Sequence, residues 1–139
     1  MANEVSVQAA ITIASGNLNY RSNPTSFTAD LTGAFGPTPG ALTISTDGED
    51  IDLSELTSPG WCIIRNIDAT NFIEWGIWDG VEFIVVGRIL PGQSAGPFQL
   101  SPNIGASYAT GTATTDSGNT LRLKADTAAA KAIVDIFEA

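Results

Sequence analysis

The fold is decided by the stretch from Gly60 to Gly92, which reads GWCIIRNIDATNFIEWGIWDGVEFIVVGRILPG. Three runs rich in β-branched and aromatic residues are separated by the polar residues 68–71 and by Asp79-Gly80. Such runs favour strands. Asp-Gly is a strong signal for a tight hairpin, because a type I′ turn needs positive φ at both central residues. The stretch is predicted to form a three-stranded antiparallel meander.

The rest of the chain shows similar punctuation. From residue 5 to residue 13 every second residue is apolar, a spacing typical of a half-buried strand. Turn signals recur about every 8 to 12 residues, which predicts about eight to ten short strands. We therefore expect an all-β fold: a single antiparallel β-sandwich domain over residues 1–139, jelly-roll-like in its arrangement.

Two segments leave local structure open. Residues 126–139 have apolar spacings that suit either a helix or a strand, and we favour a strand from about Lys131 to Glu138. Its expected partner is the strand Leu121–Ala125, since that pairing would complete the sandwich. The acid-rich residues 47–55 are expected to form a loop at the rim of the sandwich, with one helical turn as an alternative for residues 52–56.

The charge balance argues against several classes of partner. Six Lys and Arg stand against 15 Asp and Glu, a net charge of −9, so phosphate-rich nucleic acids and anionic membrane surfaces are not expected to bind. No apolar run approaches the roughly 20 residues of a membrane-spanning helix. With one Cys and no signal-peptide pattern at its start, the chain is expected to be made in the cytoplasm.

Residues suited to catalysis or metal binding are scarce. The chain has no His, which removes the commonest general base and zinc ligand. Gly92-Gln93-Ser94-Ala95-Gly96 matches the nucleophile-elbow spacing but lies in a connection next to Pro residues, and Cys62 reads as a small buried hydrophobe. The acids of residues 47–52 lack the Gly and Glu positions of an EF-hand calcium loop. We predict no catalytic, cofactor or metal site.

The hairpin register bears on a carboxylate pair and on an interface. With Asp79-Gly80 as a two-residue turn, Trp78 would face Val81, and Glu74 and Glu82 would lie on opposite faces, so they could not act together on a glycosidic bond. Both hairpin faces remain largely apolar, so one is expected to cover the core. The other is expected to contact another subunit, with coverage by the terminal strands of the same chain as an alternative. The candidate interface residues are Trp75, Ile77, Trp78, Phe83 and Val85, and of these Trp75 and Trp78 are expected on opposite faces. An aromatic platform for carbohydrate is the alternative.

Four segments resemble small virion structural proteins of tailed bacteriophages: Leu53–Gly60, the run from Asn66 to Gly76, the turn Arg88–Gly92, and Leu121–Ala128. The resemblance covers roughly residue 53 onward. It implies a β-sandwich that cements or decorates the capsid by binding across major capsid protein subunits, often as a homotrimer, and a location on the capsid surface of the virion.

The sequence leaves two other functions open besides that of a cement protein. A tail or host-adhesion protein could recognise a surface glycan through an exposed aromatic such as Trp78 or Tyr108. A glycosidase is a third, weaker reading, because neither a His nor a convergent carboxylate pair is present.

Overall fold

The computed structural model describes residues 4–31, 33, 35–101, 104 and 119–138, which form twelve strands and no helix. The expected all-β class is confirmed. Two compact units are present, residues 1–32 and residues 33–139. The strands of the first are β1 Val5–Ala9, β2 Thr12–Ser15, β3 Leu18–Arg21 and β4 Thr25–Ala29. Those of the second are β5 Thr38–Ile44, β6 Glu49–Asp50, β7 Pro59–Asn66, β8 Ile73–Trp78, β9 Phe83–Ile89, β10 Ser94–Gln99, β11 Thr120–Ala125 and β12 Ala130–Glu138.

Residues 33–139 fold as an eight-stranded jelly roll. One sheet has the strand order β10-β7-β12-β5 and the other the order β6-β11-β8-β9, with every pairing antiparallel. The pairs β8·β9, β7·β10, β6·β11 and β5·β12 are nested, so this part of the chain is one long hairpin rolled into two sheets. Two four-stranded sheets connected in this way are the jelly-roll arrangement. The predicted three-stranded meander of residues 60–92 is wrong in part. β8 and β9 pair as predicted, but β7 pairs with β10 and β12 in the other sheet, because the β7–β8 connection crosses between the sheets.

The two sheets share one hydrophobic core. Strands β7 and β12 place alternate residues inside, as the period of two requires. Ile64 of the first sheet and Ile73 and Leu121 of the second are fully buried in the same cluster. The sandwich part of the predicted fold is thereby confirmed for residues 33–139, and the extension of a single domain to residues 1–32 stays a prediction.

The C-terminal strand forms as predicted, but its predicted pairing is wrong. β12 pairs with β7 and with β5, not with Leu121–Ala125. The connection from Ala125 to Ala130 crosses between the two sheets, which lets the alternate apolar residues of both strands enter the core from opposite sides. A direct hairpin would have put both strands in one sheet.

The turn between β8 and β9 lies one residue later than predicted. Trp78 pairs with Phe83, not with Val81, and the central residues of the turn are Gly80 and Val81. The Asp79 carboxylate accepts hydrogen bonds from the amides of Val81 and Glu82, at 2.7 and 2.8 Å, which holds Asp79 at the first position of the turn. Gly80 has φ +98°, as the first central residue of a type II′ turn requires.

Two segments that contain Pro are partly strands. Pro39 lies in β5 and Pro97 in β10, and these are the edge strands of the same sheet. An edge strand has one side without ladder hydrogen bonds, so a residue that lacks an amide hydrogen is tolerated there. Proline in these segments therefore predicts the edge of a sheet rather than its absence.

The acid-rich segment is more than a rim loop. Glu49 and Asp50 form the short strand β6 against β11. No helix follows among residues 51–58, where a single turn is closed by the hydrogen bond from the Leu56 amide to the Leu53 carbonyl at 3.0 Å. Ile51, Leu53 and Leu56, which alternate with the acidic and polar residues there, are all buried in the core. The segment closes one end of the sandwich, with its charges facing outward.

Residues 1–32 are organised differently. In their described part β1 pairs with β4 and β2 with β3, giving two-stranded ribbons. In the β2–β3 ribbon one face carries Ile13 and Tyr20, and the opposite face carries Thr12 and Arg21. Val7 is the one buried hydrophobic residue among the described residues of this unit. We call this unit the N-terminal ribbon.

Candidate interface

The five predicted interface residues are divided between the two faces of the β6-β11-β8-β9 sheet. Trp75 and Ile77 lie on the side of Ile73, which faces the core. Trp78, Phe83 and Val85 lie on the outer side. The prediction that the two Trp residues lie on opposite faces is confirmed, and the outer group is the part of the set that a partner could reach. Their role at an interface stays a prediction.

The Trp75 side chain is held in place by the core. Its ring stacks on Phe98 of the other sheet, with centroids 5.0 Å apart and an angle of 17° between the rings. On β9 the residue opposite is Gly87, where a Cβ would lie 2.6 Å from Trp75 Nε1. Glycine at this position makes room for the indole, so Trp75 acts as a bridge between the sheets.

The outer face of Trp78 is covered by a charged group. The guanidinium carbon of Arg122 lies 3.8 Å from the centroid of the indole, and the same guanidinium holds Asp50 through Nε–Oδ1 and Nη2–Oδ2 hydrogen bonds of 2.6 and 3.0 Å. Strands β6, β11 and β8 are thereby tied together across their outer face. Because Arg122 occupies one side of the ring, Trp78 does not offer a free stacking surface there.

A second charged pair lies further along the same face. Glu74 on β8 and Arg88 on β9 form an ion pair of 3.0 Å, and the Arg88 guanidinium also lies 4.0 Å from the centre of the Phe72 ring. The carboxylate that might have served a glycosidase is therefore paired with a cation. Glu82 is at the hairpin turn, so the structure does not bring the two carboxylates together.

Apolar surface concentrates at the edge next to these pairs. Of the seven exposed large hydrophobic side chains described in residues 33–139, five lie between Val81 and Leu90. Val81 is 85% exposed and Val86 59% exposed. The five are Val81, Ile84, Val85, Val86 and Leu90, and we call them the β9 strip. Val85 is the member of this group that was predicted as an interface residue.

The β9 strip could have been found from sequence only in part. The run Phe83-Ile84-Val85-Val86 is apolar on both faces of its strand. That pattern is equally typical of a strand buried on both sides. What distinguishes the two cases is whether a neighbouring strand pairs with its free side, and that depends on the order of strands in the sheet.

The other residues considered for chemistry have structural roles. Cys62 is buried, and desolvation raises the pKa of its thiol to about 12, with the Asp135 carboxylate adding to the rise. The expectation of a buried hydrophobe is confirmed. Ser94 is exposed at the start of β10, not on a strand-to-helix turn. Among the described residues no group of three or more His, Cys, Asp or Glu side chains could hold a metal ion.

Two exposed carboxylates fix turns. Hydrogen bonds from the backbone amides of Asn71 and Thr70 hold the pKa of Asp68 below its ordinary value. Those from Glu82 and Val81 do the same for the pKa of Asp79. Both groups favour their ionised form because they accept amide hydrogen bonds, and they serve to shape the β7–β8 and β8–β9 connections.

The Asn66 side chain connects the β7–β8 loop to the end of strand β9, a role that sequence reasoning missed. Its buried side-chain amide donates to the carbonyls of Asn71 and Ile89, at 2.8 and 3.0 Å. Its Oδ1 accepts from the amide of Asp68 at 2.9 Å. An Asn in a strand is not in itself a signal of this role, because its partners lie in a loop and in a strand of the other sheet, whose positions depend on the whole fold.

Comparison with protein-family models, with curated proteins and with solved structures finds no match for this chain. Where the chain is described, no helix is long and apolar enough to cross a membrane. Tyr108, the other aromatic considered for glycan binding, lies outside the described residues.

Proposed function

We propose that the protein is a non-enzymatic structural protein of a tailed-phage virion. Its role is that of a capsid cement or decoration protein, which binds across major capsid protein subunits and stabilises the head. The protein is made in the host cytoplasm and ends on the capsid surface. The observation that carries the proposal is the jelly roll of residues 33–139 together with its exposed β9 strip. Jelly rolls recur in viral capsid proteins.

The arrangement of charge and apolar surface supports a contact role. On the described outer face of the β6-β11-β8-β9 sheet the charges of Asp50, Glu74, Arg88 and Arg122 are satisfied in pairs. The apolar side chains beside them are exposed. Uncharged surface next to paired charges suits burial against another subunit, because few groups would lose hydration without compensation. The net charge of −9 would limit binding to the genome during assembly.

The test is reconstitution on phage heads that lack the protein. We expect saturable binding at a fixed number of copies per lattice unit, and a rise in the temperature at which the heads release DNA. An unrelated acidic protein of similar size serves as the control for nonspecific adsorption. Absence of binding at protein concentrations in the micromolar range would contradict the proposal.

A tail or host-adhesion protein is the second candidate function. Jelly rolls are also used by lectins, and the outer face of the sheet combines an indole, an arginine and a carboxylate in Trp78, Arg122 and Asp50. A glycan array and a binding assay on host cells test this candidate. If Trp78→Ala abolishes binding to cells while head binding is absent, the adhesion role replaces the cement role.

A further inference from the structure

Strand β9 is the last strand of its sheet. It pairs with β8 on one side, and the described residues form no strand ladder on its other side. A free edge presents unpaired amide and carbonyl groups that can pair with another strand. Here the free edge coincides with the β9 strip, whose side chains are about half or more exposed.

The edge lacks most devices that prevent pairing. Between Val81 and Leu90 there is no Lys and no Pro, the residues with which proteins often block such edges. Two such devices are present: the charged residues Glu82 and Arg88 near the ends of the segment, and the bulge that leaves Val86 between the pairs formed by Val85 and Gly87. A bulge at this point shortens the ladder that a partner could form, but it leaves the apolar side chains uncovered.

We infer that the β9 edge pairs with the β9 edge of a second copy of this chain, in antiparallel orientation, with Val85 near the two-fold axis. The β6-β11-β8-β9 sheets of the two copies then form one continuous sheet of eight strands. This inference adds a dimer contact to the proposed cement role, on which it rests, where the resemblance implied a homotrimer. The contact lies at the edge of the sheet and not on the face where the hairpin pattern predicted it.

The charged residues at the two ends of the strip favour a second copy in antiparallel orientation. Residues 33–139 contain 13 acidic and 5 basic residues, a net charge of −8, so two copies repel over most of their surface. The β9 strip is uncharged and has Glu82 near one end and Arg88 near the other. An antiparallel two-fold pair brings the Glu82 end of each strand beside the Arg88 end of its partner, whereas a parallel pair would place like charges together.

The first test measures mass in solution. Sedimentation of the full chain at micromolar concentration is expected to give twice the chain mass, and Val85→Lys is expected to give a monomer with an unchanged circular dichroism spectrum. The matched control is Ala41→Lys, which adds the same charge on an exposed residue of β5, an edge strand of the other sheet, and should stay dimeric. A monomeric wild-type chain, or a dimer that survives Val85→Lys, overturns the inference.

The second test locates the two-fold axis. Ile84→Cys, Val85→Cys and Val86→Cys are oxidised separately, and the position nearest the axis should cross-link almost completely, because paired strands bring Cα atoms within the range of a disulfide. Cys62 is buried and should not react. Cross-linking no greater than in Ala41→Cys would contradict the edge contact. A trimer by mass would also contradict it while leaving head binding, which is measured separately, unaffected.

Discussion

The N-terminal ribbon and the jelly roll have similar sequence patterns and very different burial. In the ribbon, Ile13 and Leu18 are 42% and 58% exposed, although every second residue from Val5 to Ile13 is apolar. In the jelly roll, alternate residues of β12 such as Val134 are fully buried. A period of two therefore predicts a strand with an apolar face, but it does not say whether the same chain covers that face. Two strands alone have little to pack against.

The largest expected difference between the two regions comes from truncating one isoleucine in each. Ile64→Ala should lower the free energy of unfolding by about 2 to 5 kcal/mol, because it leaves a cavity in a site with no solvent exposure. Ile13→Ala, an identical change on an exposed side chain, should lower it by about 0.5 kcal/mol or less. Urea denaturation of both variants measures the difference. Equal losses would mean that the ribbon face is covered in solution.

Loss of the Asn66 side chain, which holds a connection of the jelly roll, should lower its stability almost as much. Asn66→Ala removes two donors and one acceptor from buried or half-buried backbone groups, so we expect a loss of about 2 to 3 kcal/mol. Asn19→Ala, in the exposed ribbon strand β3, is the matched control and should be close to neutral. Thermal denaturation provides the measurement. Similar melting temperatures for the two variants would show that the hydrogen bonds of Asn66 do not stabilise the fold.

Two glycines of the central hairpin, Gly76 and Gly87, should differ in how well they tolerate an added Cβ. A Cβ on Gly76 would overlap the backbone carbonyl of Ile84, whereas one on Gly87 would meet the Trp75 side chain. We expect Gly76→Ala to cost about 1 to 3 kcal/mol and Gly87→Ala to cost less, since a ring can shift more readily than a paired strand. Chemical denaturation ranks the two. The reverse order would show that the indole is the more rigid neighbour.

The smallest expected effect is on the stability of the protein at acidic pH. The pKa of Asp79 is lowered in the folded state, so its contribution to stability is present above the ordinary carboxyl pKa of 3.8 and is lost as the pH falls through the lower folded value. Carboxyl NMR titration should place the Asp79 pKa below 3.8. Asp79→Asn keeps an acceptor oxygen but cannot titrate, and the stability of this variant should depend less on pH as the pH falls below 3.8. An unchanged pH dependence would contradict this.

The sequence predicted the fold class because strand runs and turn residues are local signals. It misplaced the β8–β9 turn by one residue, since the Asp79 carboxylate caps the turn and no propensity distinguishes a capping Asp from a central one. The pairing of Lys131–Glu138 was wrong because the choice of sheet depends on contacts far apart in sequence. Trp75 and Trp78 were correctly placed on opposite faces because they are three residues apart in one strand. The exposure of the β9 strip depends on which strand lies at the edge of the sheet.

The nested pairing of the jelly roll has a consequence for how the chain reaches its fold. β8 and β9 are neighbours along the chain, whereas β5 and β12 bring Ile44 beside Ala130, across almost the whole unit. Closing such long loops costs entropy before any contact compensates for it, so chains with many distant contacts fold slowly. Once the central hairpin has formed, each outer pair closes a shorter effective loop. The turn at Gly80 is thus the natural starting point for folding, and variants that slow its closure should slow the assembly of both sheets.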